Sequence, residues 1–255
     1  MTHHRFFPFS RALSITSKQL AIGCFLLLCA PFANSAEKLV ISTGLQPPLV
    51  SSENRPGFLD TLAKEAFARL GIELDVVVVP AERALINSNK GIDDGNLLRI
   101  KGLEKRYPNL IRVPEKMMNS EFVGYAITQI PMAPGWQRLK GQIVSFPKGW
   151  KIFENNTKQA AKVEMVRDPV QMFRLLKNSK VDIALYEKWQ GIVQARKAQL
   201  NEFLVLDPAF IELEMFMYLN NKHAKLVPKL AKTLKEMKAD GTYQKIYQRT
   251  LGALL

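Results

Sequence analysis

The chain of 255 residues has only two cysteines and three histidines, and their positions exclude most of the chemistry those residues support. Cys24 and Cys29 both lie inside the apolar stretch LAIGCFLLLCA, Leu20 to Ala30. Before it stands MTHHRFFPFSRALSITSKQ, with Arg5, Arg11 and Lys18 and no acid; after it come the small residues of PFANSAEKLV. A basic start, a short apolar run and small residues at its end read as a secretory signal peptide over 1–36, cleaved near Ser35 or Ala36, and the run is shorter than the roughly 20 residues a spanning helix needs. Leu28 before Cys29 argues against lipidation there, and Cys24, though preceded by Gly23, has most of the apolar run after it. The mature chain is therefore expected to hold no cysteine and to use neither disulfide nor thiolate chemistry. His3 and His4 leave with the leader, so His223 stands alone and no metal or cofactor site is expected. No later run is apolar enough to cross a membrane, no Ser/His/Asp nucleophile motif is present, and no nucleic-acid recognition motif or basic run of the usual kinds occurs. The destination implied is the periplasm.

What the chain has in excess is positive charge. Against 23 acids stand 36 lysines and arginines, and loss of the three in the leader leaves a mature charge of +10. Net charge speaks to solubility and non-specific association, so it permits anionic ligands or envelope surfaces without selecting one. The segment GIDDGNLLRIKGLEKRYPNLIRVPEK concentrates Arg99, Lys101, Arg106 and Arg112 around a short apolar run.

About 219 residues follow the leader, enough for two small α/β lobes. KLVIST reads as a strand, FLDTLAKEAFARLG as a helix with Leu59, Leu62, Ala63, Ala66, Phe67 and Leu70 on one face and Gly71 as its C-cap, and IELDVVVVP as a buried strand, a unit whose two strands should be parallel. ERALINSNKG reads as a short helix, DDGNLLR as a strand, and FVGYAITQI, Phe122 to Ile130, as a long strand leaving this unit; IPMAPGWQRLKG is a linker by its Pro and Gly content. The pattern restarts with QIVSF, PKGWKIFENN, VEMV, DPVQMFRLLKNS, KVDIALY and EKWQGIVQARKAQL, strand and helix alternating. FIELEMFMYLNN is a second long strand, and the chain ends in two helices broken at Asp240-Gly241. Two units joined by two long strands imply a cleft, with hinges expected near Ala126 to Pro131 and Ile211 to Phe216.

Four stretches, in order, resemble the periplasmic solute-binding proteins of ABC importers, in particular the polar amino acid class called family 3. They are PPLVSSENRPGFLDTLAKEAFARLGIELDVVVVP, LKGQIVSFPKG, KVDIALYE and LKEMKADGTYQKIY, and the resemblance runs from about Lys38 to Leu251. It implies a two-lobed periplasmic-binding-protein-like clamshell of type II with two crossover strands, lobe 1 from 37–128 and 214–255 and lobe 2 from 129–213. It implies a monomer that captures a small polar, amino-acid-like or anionic ligand and docks on a membrane ABC permease, with no nucleic-acid partner. The same scaffold also serves as a ligand-sensing receptor domain feeding a signalling partner, and in a few cases as an enzyme resembling cyclohexadienyl dehydratases, so fold alone leaves these alternatives open. The reading is of a binding protein rather than an enzyme.

Counting from Asp94, which matches the family's strand aspartate, the resemblance puts Arg106 on the carboxylate-clamping arginine, and Arg99 and Lys101 on positions that normally carry small residues facing the ligand. Arginine suits a clamp because its planar fork donates two parallel hydrogen bonds. Which of Arg99 and Arg106 clamps stays open at this point. Glu187 of KVDIALYE matches the aspartate that receives a ligand ammonium, or it is simply a glutamate at a helix start. The chain departs from the family at Trp150 and Lys151, where hydroxyl residues are usual, and at Gln46, where an aromatic lid is common. Trp150 would be either a stacking wall or a packed surface ring, and Lys151 a second cation.

Overall fold

The computed structural model describes residues 37–254, so the expected leader, its two cysteines and the expected cleavage position lie outside the described residues. The first unit is β1 (Glu37–Thr43), α1 (Phe58–Ala68) and β2 (Ile72–Val78). β1 and β2 are parallel, as expected, paired from Glu37↔Ile72 to Thr43↔Val78. Leu59, Leu62, Ala63, Ala66 and Phe67 of α1 are fully buried against this sheet, each large side chain contributing about 1.5–3 kcal/mol by leaving water. The helix ends earlier than its sequence suggests: its C-cap is Arg69, and Gly71, at φ +74°, shapes the turn beyond it.

α2 (Ala81–Lys90) closes on Gly91 in the left-handed conformation, and β3 (Gly95–Ile100) follows. β4 (Leu110–Arg112) is short and carries no periodic signal, which is why it escapes a sequence reading. β5 spans Met118–Ala126, so the expected strand from Phe122 to Ile130 is corrected at both ends. After Met118 its first residues, Asn119, Ser120 and Glu121, lack the β-branched and apolar side chains that mark strands, yet they are held by pairing with β10 (Ile211–Asn220) from Met118↔Met215 to Phe122↔Ile211.

The second unit comprises β6 (Ile143–Pro147), α3 (Lys151–Asn156), β7 (Lys162–Val166), α4 (Pro169–Lys177), β8 (Ile183–Glu187) and α5 (Lys188–Lys197), then β9 (Leu204–Val205). The linker before it contains a single 3-10 turn, Gly135–Leu139. All the described strands form one sheet in the order β2-β1-β3-β10-β5-β8-β6-β7, with β4 beside β10 and β9 beside β5. The two long antiparallel strands lie at its middle, where β5 passes from pairing with β10 to pairing with β8 over Phe122–Tyr125.

The C-terminal helices α6 (Val227–Ala239) and α7 (Thr242–Thr250) pack on α1. Their junction, ADGTY, is a lock. Gly241 takes φ +81°, Asp240 Oδ1 accepts from the Thr242 N–H, and Arg69 donates to Asp240 Oδ2 at 2.6 Å and to Thr242 Oγ1 at 2.8 Å. The guanidinium draws the Asp240 carboxyl down to about 2. No helix among the described residues is long and apolar enough to cross a membrane.

Gly191 in α5 faces Tyr125 of β5 so closely that an added Cβ would lie 2.5 Å from two ring carbons. Tyr125 is fully buried, edge-on to Phe173 and Phe203, with its hydroxyl donating to the Lys188 carbonyl. On an exposed helix Gly→Ala would stabilise by up to about 1 kcal/mol. Here Gly191→Ala is expected to destabilise by about 1–3 kcal/mol through overpacking, read as a lower urea midpoint with an unchanged slope; an unchanged midpoint would mean that Tyr125 can move.

Candidate functional site

Glu187 is the most deeply buried acid among the described residues. It ends β8 and caps α5: Oε2 accepts from the Gln190 backbone N–H at 2.9 Å and from Gln190 Nε2 at 3.2 Å. The spacing Glu187-x-x-Gln190 is a variant of the capping box, with the first side chain satisfying the third residue's amide and the third reaching back. Only 3% of Glu187 is exposed, and Oε1 has no hydrogen-bond partner among the described residues. Burial pushes the carboxyl up to about 7 against the pull of its amide donors, and the neighbouring Glu121 adds to the rise. Glu121 itself pairs with Lys188 at 2.8 Å.

A β-bulge positions Arg99. β10 pairs Phe216↔Arg99 and Tyr218↔Asn96, so Leu97 and Leu98 together oppose Met217. Phe216 and Tyr218 share a face, and Asn96 and Arg99 are therefore brought to it together although they stand three apart. Arg99 Nη2 donates to the Ala81 carbonyl at the start of α2 at 2.8 Å, while its Nε is buried without a partner among the described residues. Burial lowers its pKa to about 10, which leaves it cationic at neutral pH. Asn96, fully buried, likewise has both amide atoms unpartnered among the described residues.

The other cations are less confined. Lys101 and Arg106 are exposed, Arg106 lying 5.6 Å over the Tyr107 ring. Arg112 pairs with Glu104 at 3.6 Å and covers Phe216 at 4.7 Å. Lys151 is exposed and pairs with Glu154. Trp150 is half-buried, stacked on Tyr186 at 4.5 Å and parallel to Phe153 at 5.6 Å, with Phe122 at its edge. Its ring is thus engaged by its own half of the sheet. Gln46 is exposed, and its backbone N–H donates to Gln190 Oε1 at 3.3 Å, so the loop after β1 touches the α5 cap that Glu187 forms.

These contacts bring Gln46, Gln190 and Glu187 together and set Trp150 against Tyr186, the residue before Glu187. Arg99 shares a sheet face with Asn96 and reaches the start of α2. Gln190, Tyr186 and Asn96 were missed by sequence reasoning. The EKWQ spacing could have revealed Gln190; nothing short of the bulge could have revealed Asn96. The arrangement offers an ionisable acceptor on one half and a partly dry donor fork on the other, each with unused hydrogen-bonding capacity.

No family model matches the chain. A curated protein of Shewanella oneidensis, described only as uncharacterized, is 22% identical over 250 residues, covering 92% of this chain and 95% of its own. A solved structure of a probable amino-acid ABC transporter extracellular-binding protein from Bacillus subtilis matches with a TM-score of 0.71 at 16% identity, over 85% of this chain and 98% of its own. A histidine kinase sensor domain with similarity to periplasmic binding proteins matches with 0.66 at 16%, over 86% and 96%. An ancestral arginine-binding protein bound to glutamine matches with 0.64 at 22%, over 84% and 98%. Identities this low speak to architecture, and with the sheet order above they give the conclusion: the chain has the two-lobed α/β fold of periplasmic binding proteins, with two crossover strands.

Proposed function

We propose that this chain is a periplasmic solute-binding protein that holds a small zwitterion, of the amino-acid kind, between its two halves for an ABC permease. The carrying observation is that two groups of opposite charge, Arg99 and Glu187, each keep a buried atom without a partner among the described residues, in Nε and Oε1. Buried polar atoms are almost always satisfied, so a ligand carboxylate at the first and an ammonium at the second would complete both. Arg99 is the better clamp than Arg106 because it is the one withdrawn from water. The neighbours support the reading through what their own names say: an amino-acid transporter's binding protein, and a binding protein holding glutamine. The sensor-domain neighbour favours the second reading, a receptor that passes ligand occupancy to a signalling partner. The enzymatic reading rests on Glu187, which near pH 7 could serve as a general acid.

The direct test is a thermal-shift screen of the purified protein against free amino acids and their carboxylate-only and amine-only analogues. A ligand at a hundred times its Kd raises stability by about 2.7 kcal/mol, which is several degrees in Tm for a domain of this size. The expected result is stabilisation by a zwitterion and by neither half-analogue. Stabilisation by a carboxylate alone would overturn the role of Glu187.

Closure is expected about Met118–Phe122 and Ile211–Met215, where the two long strands pair with each other, rather than at the later Ala126 to Pro131. Small-angle scattering with a saturating ligand should show a smaller radius of gyration. An unchanged radius would refute the clamshell motion.

A further inference from the structure

Beside the crossing strands lies a cavity of about 370 Å³ that the cleft reading does not use. Its walls are Met118, Asn119 and Glu121 of β5, Glu212 of β10, Trp189 of α5, and Tyr243 and Tyr247 of α7. Three lysines reach it or its rim, and each is already matched: Lys116 with Glu214 at 3.3 Å, Lys188 with Glu121 at 2.8 Å, and Lys238 with Glu115. Glu212 is the acid left over, so three lysines stand against four glutamates. Its partner among the described residues is the Asn119 amide, whose Nδ2 donates to it. That bond fixes the amide's orientation and leaves Asn119 Oδ1, a buried atom, without a partner among the described residues. What remains unused is therefore acceptor capacity and one negative charge.

The aromatic walls fit the same ligand. Trp189 and Tyr247 meet edge to face at 5.8 Å. The protein already sets its own ammonium groups against two of these rings, Lys188 over Trp189 at 5.4 Å and Lys238 over Tyr243 at 5.6 Å. Ring faces attract cations through their quadrupole, more strongly where water is displaced. An N–H donor is needed for Asn119 Oδ1, which a quaternary ammonium lacks.

We infer that this cavity is a second binding site, for a primary alkylammonium group, with Asn119 Oδ1 and the Glu212 carboxylate as acceptors and Trp189, Tyr243 and Tyr247 as its walls. The site stands on the fold and the cavity alone.

The probe is 1,4-diaminobutane, titrated calorimetrically into the purified protein at low salt, with tetramethylammonium as the donor-free control. Saturable one-to-one binding is expected, at least fivefold weaker for tetramethylammonium. Glu212→Gln, at an exposed position, should weaken the diamine at least fivefold without changing Tm, and Asn119→Asp should strengthen it. Glu187→Gln should leave it unchanged. Absence of saturable binding, or equal binding by the parent and Glu212→Gln, overturns the site. Loss in Glu187→Gln with none in Glu212→Gln would assign the diamine to the cleft and overturn it equally.

Discussion

Glu187→Gln is expected to give a protein that is more stable than its parent at pH 8 and yet holds its ligand at least tenfold more weakly. The two effects have one cause. Burial raises the folded carboxyl to about 7 from an ordinary 4.5, which corresponds to about 3 kcal/mol of differential stability between its two protonation states. A raised carboxyl favours the folded state while protonated. Its contribution is full below pH 4.5 and lost as pH rises through 7, because only the unfolded chain ionises freely over that window. The parent should therefore lose stability between about pH 4.5 and 7 in the ligand-free state, and the glutamine variant should not. Glutamine keeps an oxygen for the Gln190 amide, so the cap is weakened by at most about 1 kcal/mol. A ligand ammonium reverses the balance by holding the carboxylate ionised, and losing one partner of such a pair costs about 2–5 kcal/mol. Affinity in the parent should accordingly rise with pH up to about 7, with proton release on binding below it. Denaturant melts at pH 5 and pH 8 decide the first claim: a variant less stable than the parent at pH 8 would mean that the carboxylate is already paired.

The arginines should separate as sharply. Arg99→Ala removes a half-withdrawn guanidinium and is expected to weaken ligand at least thirtyfold, about 2 kcal/mol, within the range for breaking a desolvated charge pair. Arg106→Ala removes an exposed group resting on Tyr107 and should change affinity less than twofold. Calorimetry on the two variants reads this directly. The reverse order would restore Arg106 as the clamp and leave Arg99 as a strut for α2 through the Ala81 carbonyl. Equal, parental binding by both would remove the arginine from ligand recognition altogether.

Much of the architecture was legible because its signals are local. The face of α1, the helix break at Asp240-Gly241 and the alternation from QIVSF to EKWQGIV each write a period or a cap into neighbouring residues. Even the motif most characteristic of the resemblance, ADGTY, makes its turn locally, through Gly241 in the left-handed conformation and the Thr242 N–H donated to Asp240 Oδ1, and only its tie to Arg69 is long-range. It therefore marks the fold and is silent on ligand. The start of β5 was not legible, since Met118 to Glu121 become a strand through a partner nearly a hundred residues away, Lys116 and Glu214 on its flank being 98 apart. The site suffered most from the bulge in β3. Simple alternation puts Asn96 and Arg99 on opposite faces, and the extra residue opposite Met217 puts them on one. Glu187 was singled out through its match to a family position, but its unpartnered oxygen and raised pKa follow from burial, which no spacing records.

The shared sheet also sets an order of events. The Tyr218 hydroxyl closes on the Ile100 carbonyl across 118 residues, and β10 supplies the neighbour that β3 and β4 lack until then. A chain that emerges from its N-terminus must hold β1, β2 and β3 with one edge open while β6, α4 and β8 assemble from contacts closer in sequence. The inserted half should be protected from hydrogen exchange first in refolding, and the half that begins the chain should finish last. During that interval the open edge of β3 is the segment most exposed to mispairing with another copy.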